Sequence, residues 1–139
     1  MTIDRKKLLK ILAYLIAAVF IVDVLAIIFH WYYSFWYFDM IMHFSGGVWL
    51  GLAAMWYLSR RNPASFGLST TTVLQILGIV ILFGGGWEVF EALTDYFVVH
   101  DFSRFDVLDT LSDLVCDTSG GIFAMGLLAI IMPTKKDTV

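Results

Sequence analysis

Cysteine is nearly missing from this chain. The one present, Cys116, excludes an internal disulfide and any paired-cysteine metal or redox motif. Proline is almost as rare. Pro63 and Pro133 both fall outside the long apolar runs, so no run carries a built-in helix breaker. Charged residues make up 15% of the sequence, well below the roughly 25% of soluble domains. No tract of low complexity and no repeat of solenoid length is present. What fills the chain instead is apolar. Hydrophobic residues reach 60%, which argues against an ordinary soluble domain and for an integral membrane protein. Residues 1–139 suffice for one compact unit and are too few for two ordinary domains.

The apolar residues gather into four runs, at about residues 11–29, 40–58, 73–99 and 107–132. Each can cross a hydrocarbon core of about 30 Å as a helix. The expected fold is therefore all-α, a polytopic membrane protein with four transmembrane helices in one bundle. The first run competes with a signal peptide. It is long for the apolar part of one, and His30-Trp31-Tyr32-Tyr33 follows where a small-residue cleavage site belongs. Residues 31–38 are aromatic almost throughout and read as an interfacial belt. A base-stacking surface would need basic residues between the rings, so no nucleic-acid partner is expected. Membrane lipids are the expected surroundings, and a homo-oligomer is compatible with the pattern. Gly84-Gly85-Gly86 interrupts the third run and permits either close approach of a neighbouring helix or a local break.

Charge sorts by position. Arg5, Lys6, Lys7 and Lys10 precede the first run, Arg60 and Arg61 end the second, and Lys135 and Lys136 follow the fourth. With four crossings these places share one face. Positive residues collect on the cytoplasmic side, so the N-terminus and the C-terminus are both expected in the cytoplasm. Arg104 lies opposite, where Asp101 is its expected loop partner. The acids do the reverse. Asp23, Asp39, Glu88, Glu91, Asp95, Asp106, Asp109, Asp113 and Asp117 fall on the outer side or in the outer half of a run, as do His30, His43 and His100. At about 1.5 Å of rise per residue, Glu88 and Asp117 lie roughly 15 Å below the outer surface. Charge is expensive in hydrocarbon, so these groups must face a partner, water or a cation. Asp23 has a bland option in His30, further along its own helix.

Three constellations carry the chemistry. Asp39-x-x-x-His43 places a carboxylate and an imidazole on one helix face, either as an anchoring hydrogen bond or as ligands, with Gly46, Gly47 and Gly51 allowing close helix approach. Glu88, Glu91 and Asp95 repeat at spacings of three and four. Asp106, Asp109, Asp113 and Asp117 fall within an arc of roughly 80° on a helix. Two facing acidic stripes cannot all be charged in a dry site. Either several carry protons, or a multivalent cation neutralises them; a water-filled acidic vestibule is the plain alternative. Carboxylate oxygens with one imidazole suit a divalent metal ion, Mg²⁺, Mn²⁺ or Ca²⁺, and leave room for iron or zinc. Cys116 reads as a small packing residue.

Taken in order, these motifs resemble a known family. Asp39-x-x-x-His43-Phe44 with its following glycines, Trp87-Glu88-x-x-Glu91, Asp106-x-x-Asp109-Thr110-x-x-Asp113, and Gly120-Gly121 look like the YjdF-type bacterial inner-membrane family. They are more distantly similar to VanZ-like membrane proteins, which usually carry Asn where this chain has Asp117-Thr118-Ser119-Gly120. The resemblance implies a small polytopic protein of the bacterial inner membrane. Its VanZ-like side implies a link to the cell envelope through teicoplanin resistance.

Two functions of different class fit these residues. In the first, Asp39, His43, Glu88, Glu91, Asp109, Asp113 and Asp117 hold a divalent ion. Glu88, Glu91, Asp113 and His43 then carry catalysis by a hydrolase or transferase acting on a lipid or lipid-linked envelope precursor. No serine or cysteine has an evident base beside it, so water is the expected attacker on a phosphoryl or acyl centre. In the second, the same carboxylates serve a cation or proton transporter. A non-catalytic assembly subunit is the third possibility. The inner halves of the four runs carry no ionisable residue, which ranks transport below the enzyme. The orientation has a direct check. The Ser103→Cys variant is expected to react with an impermeant thiol reagent in intact cells, and labelling only after lysis would reverse the topology.

Overall fold

The computed structural model describes residues 4–61, 66–100 and 107–131, without the side chains of Val99 and Ile131. Among them every regular element is helical: α1 (Arg5–Ile28), α2 (Trp31–Ser34), α3 (Phe38–Arg61), α4 (Thr70–Thr94) continuing into a π-helical segment (Asp95–Val99), and α5 (Val107–Ile131). Four stretches are long and apolar enough to cross a membrane: Arg5–Ile28, Phe38–Arg61, Thr70–Val98 and Val107–Ile130. Asp101, Ser103, Arg104, Asp106, Lys135 and Lys136 lie outside the described residues.

Local chemistry sets the helix ends. Asp4 caps α1, its carboxylate accepting from the backbone N–H groups of Lys6 and Lys7 at 3.1 Å each. The helix therefore begins within the basic segment, ahead of the apolar run. Ser69 caps α4 through the Thr72 N–H at 3.3 Å. At the other end of α1, His30 takes a left-handed conformation (φ 57°) and turns the chain into α2. The aromatic belt then packs on itself: Trp31 and Tyr32 meet Phe38 edge-on with ring centres 5.5 and 5.1 Å apart. Helix α4 runs unbroken through Gly84-Gly85-Gly86, and its irregularity comes later, in the π-helical segment.

Helices α3 and α5 form the centre of the bundle. A Cβ on Gly47 would overlap the Asp117 main chain. One on Gly120 would overlap the Phe44 carbonyl oxygen and lie 2.7 Å from Val48 N, and one on Gly51 would come within 3.0 Å of both Gly121 Cα and Ala124 Cβ. The paired numbers rise together, so α3 and α5 run parallel, backbone against backbone. Small residues permit that approach, which is how spanning helices gain packing energy where lipid supplies no hydrophobic drive. Helix α4 lies antiparallel to α5, with Gly84 against Leu114 and Asp117 and Val80 against Gly121. Helix α1 is peripheral: only Leu8, Leu12 and Ala26 are buried, and the Trp49 indole N–H fastens it by donating to the Leu12 carbonyl at 3.0 Å.

The buried apolar cluster occupies one half of the bundle. Leu8, Leu12, Val48, Leu52, Met55, Ile76, Ala124, Met125 and Leu128 meet towards the end that carries Arg60 and Arg61. Those arginines lie over the Trp56 and Tyr57 rings at 5.2 and 5.8 Å, keeping their charge at the helix end. Substituting Gly120→Ala is expected to force α3 and α5 apart and cost about 1–3 kcal/mol. Gly126→Ala, whose Cβ would meet open space, should leave stability unchanged. Thermal unfolding in detergent reads both.

Candidate functional site

The opposite half of the bundle is polar inside. His43, on the second turn of α3, is the hub, with its side chain 6% exposed. Its Nε2 lies 3.8 Å from Asp39 Oδ1 one turn earlier, 3.8 Å from Glu88 Oε1 on α4, and 4.0 Å from Asp113 Oδ2 on α5. Its Nδ1 lies 3.5 Å from Asp117 Oδ2, also on α5. Three helices thus deliver four carboxylates to one imidazole. Helical repeat explains the delivery: Asp39 and His43 share a face at a spacing of four, as do Asp113 and Asp117.

Burial is graded. The Asp113 and Asp117 side chains are 4% and 5% exposed, Glu88 is 11%, and Asp39 is 37%. Glu91 is exposed but belongs to the centre, because its donor atom lies within 4.8 Å of those of His43 and Glu88. A second triplet with the same spacing limit is Asp39, His43 and Asp113. The centre therefore widens from Asp117 at its floor to Asp39 and Glu91 at its mouth. Asp109 is exposed at the start of α5 and belongs to neither triplet. Asp95 stands on the π-helical segment, also outside them.

The floor depends on two absent side chains. The Asp117 main chain fills the space a Gly47 side chain would take, and its carboxylate fills the space at Gly84. Glycine at both positions lets a charged residue sit where three helices converge. Gly46 imposes no comparable constraint, since its Cβ would lie 3.9 Å from Asp117 Oδ1.

The donor set suits a divalent cation. Two donors each about 2.1 Å from one ion stand at most about 4.2 Å apart, and the three carboxylate distances from His43 Nε2 fall under that limit. Glu88 Oε1 and Asp117 Oδ2 are buried and accept no hydrogen bond. A buried carboxylate oxygen without a donor is costly, and each such oxygen here faces the imidazole. Among the described residues no lysine or arginine pairs with these acids; the ion pairs found all run to His43. Nitrogen and oxygen donors of this kind match the expected ions, with octahedral Mg²⁺ or Mn²⁺ within the range.

One expected pairing is corrected. Asp23 does not pair with His30. Its Oδ1 accepts from the Tyr32 hydroxyl at 2.6 Å, because the left-handed turn at His30 reverses the chain and folds α2 back over α1. Tyr32 also packs on Phe38, the neighbour of Asp39 at the start of α3, which brings the α1–α2 corner beside the centre. Sequence periodicity could not reveal this contact, since the two residues do not share one helix.

Four apolar spans around a buried histidine–carboxylate centre define a polytopic helical membrane protein. The chain belongs to the family described as "Predicted membrane protein (DUF2238)", whose model matches residues 2–134, the YjdF-type family that its motifs resemble. No curated protein and no solved structure matches it. A link to VanZ-like proteins is not shown by these comparisons.

Burial, then the bonded Asp23 carboxylate, raise the Tyr32 phenol above its ordinary pKa of 10.0. A raised pKa means the folded state holds the proton more tightly than the unfolded chain. The corresponding stability is present below pH 10 and is lost as pH climbs towards the folded value. Tyr32→Phe is expected to cost about 0.5–1.5 kcal/mol at neutral pH. It should also flatten the alkaline loss of stability, read by unfolding across about pH 9–12.

Proposed function

We propose that this protein is a membrane-embedded, divalent-metal-dependent hydrolase or transferase whose centre opens to the outer face of the bacterial inner membrane. Its substrate is a lipid or a lipid-linked envelope precursor. The observation that carries the reading is the convergence of Asp39, Glu88 and Asp113 within 4.0 Å of His43 Nε2, with a buried Glu88 oxygen that accepts no hydrogen bond. Hydrogen bonding within the chain leaves that set incomplete, and a cation completes it.

Asp39, His43, Glu88, Glu91 and Asp113 supply donor atoms. Asp109, near the mouth, is placed to attract cations from solution. A bound divalent ion supplies Lewis acidity and eases deprotonation of water. Glu91 and Asp39, at the open end, would accept a proton from a water entering there, and His43 holds the three-helix arrangement together. Burial of Asp113, Asp117 and most of Glu88 limits bulk water, which strengthens every electrostatic contact inside.

The lipid assignment rests on position. Glu88 belongs both to the centre and to the rim of an apolar groove of about 520 Å³, lined by Gly85, Val89, Ala92, Leu93, Tyr96 and Phe97, with Thr110 facing from α5. A cleft of that size is in the range of small-molecule sites. Its apolar walls on a spanning helix favour hydrocarbon. The basic residues at the N-terminus and at the end of α3 support a cytoplasmic location for that end of the bundle, which directs the acidic centre outward. Transport would need a polar route past Val48, Leu52, Met55, Ile76 and Leu128, and those buried side chains offer none.

Elemental analysis of the purified protein tests the reading. Wild type is expected to carry stoichiometric metal, and Glu91→Ala and Asp113→Ala are expected to lose it. A metal-free wild type, purified without chelator and after supplementation, would end the metalloenzyme reading.

A further inference from the structure

The two donorless oxygens lie on opposite sides of one ring. Glu88 Oε1 faces His43 Nε2, together with Asp39 Oδ1 and Asp113 Oδ2. Asp117 Oδ2 faces Nδ1. A neutral imidazole carries a proton on one nitrogen and a lone pair on the other, and the partner of the first decides which way the second points its lone pair.

We propose that Asp117 is a positioning residue rather than an ion ligand: its carboxylate accepts a hydrogen bond from the Nδ1–H of His43, keeping that proton on Nδ1 and thereby presenting the Nε2 lone pair to an ion held by Asp39, Glu88, Glu91 and Asp113. This deepens the preceding assignment and rests on the reading that the centre binds a divalent ion.

Three observations carry it. First, an ion bonded to Nε2 has the ring between itself and Asp117, and Asp117 belongs to neither triplet whose donor atoms converge within 4.8 Å. Second, Asp117 Oδ2 is 3.5 Å from Nδ1 and has no hydrogen-bond donor elsewhere, so Nδ1–H is the donor at hand for a side chain 5% exposed. A lone pair on Nδ1 would instead confront that carboxylate. Third, Asp117 is fixed in place. Its main chain abuts Gly47 and its carboxylate abuts Gly84, so it is built into the floor rather than free to swing round to Nε2. Carboxylates that orient a ligating histidine in this way tune ion affinity by about 10- to 100-fold without touching the ion.

The division of labour is testable with Mn²⁺ added to the purified, metal-stripped full-length protein. Affinity is read by titration, and coordination by the imidazole-nitrogen coupling in electron spin-echo spectra. Wild type is expected to bind Mn²⁺ with a coupled nitrogen. Asp117→Asn should keep the stoichiometry and the coupled nitrogen at saturation while losing 10- to 100-fold in affinity. Gly84→Ala, which crowds the Asp117 carboxylate without removing any donor, should lose affinity in the same direction. His43→Gln should lose the nitrogen coupling. If Asp117→Asn binds no Mn²⁺ at saturation while remaining monodisperse and folded, Asp117 is a ligand and the proposal fails. Unchanged affinity in Asp117→Asn overturns it equally, and in both cases the metal assignment itself survives. A wild type that binds no Mn²⁺ or other divalent ion overturns the metal assignment and this inference together.

Discussion

One constraint governs this structure: several carboxylates share one imidazole inside a bundle that crosses a membrane. A fully charged His43 offsets one of the four carboxylates within 4.0 Å of it and leaves three uncompensated. Like charges about 4 Å apart repel by roughly 4 kcal/mol even at an effective dielectric constant of 20. The residues around the hub can be understood by how they bear that load. Three helices contribute the carboxylates, so no single span carries the whole desolvation cost. The gradient of exposure from Asp117 to Asp39 and Glu91 keeps the less buried charges nearest to water.

The two halves of the bundle solve different problems. In the half near Arg60 and Arg61, apolar side chains from four helices interlock, and the glycine seam brings α3 and α5 into backbone contact. In the other half the same pair of helices holds His43, Asp113 and Asp117. The seam is therefore part of the site. Gly47 and Gly120 fix the spacing at which an α3 imidazole can meet an α5 carboxylate, and Gly84 admits that carboxylate against α4.

Much of this was legible in the sequence, and the reason is periodicity. The four spans follow from run length and hydropathy. The facing stripes follow from spacings of three and four, which brought Asp39, His43, Glu88, Glu91, Asp113 and Asp117 together as candidates. Periodicity places a residue on a face but does not say where along the bundle that face meets a partner. Asp109 repeats with Asp113 and Asp117, and only the position of α4 and α3 against α5 leaves it at the exposed start of the helix. Gly84-Gly85-Gly86 looked like one feature. In the structure Gly84 alone is pressed against a neighbour, while Gly85 and Gly86 face open space. The contact between Asp23 and Tyr32 depends on the turn at His30, a histidine in a conformation that most non-glycine residues avoid.

The tightest helix pairing joins the second span to the fourth, which bears on how the chain is made. His43 precedes Asp113 by seventy residues of sequence. At ribosomal speeds of about 5–20 residues per second, the imidazole enters the bilayer some seconds before its α5 carboxylates exist. During that interval Asp39, and then Glu88 and Glu91 as α4 emerges, are the members of the centre available to it. A chain cut short before α5 would present an unfinished polar surface to lipid. Assembly of the centre therefore waits for α5, the fourth span.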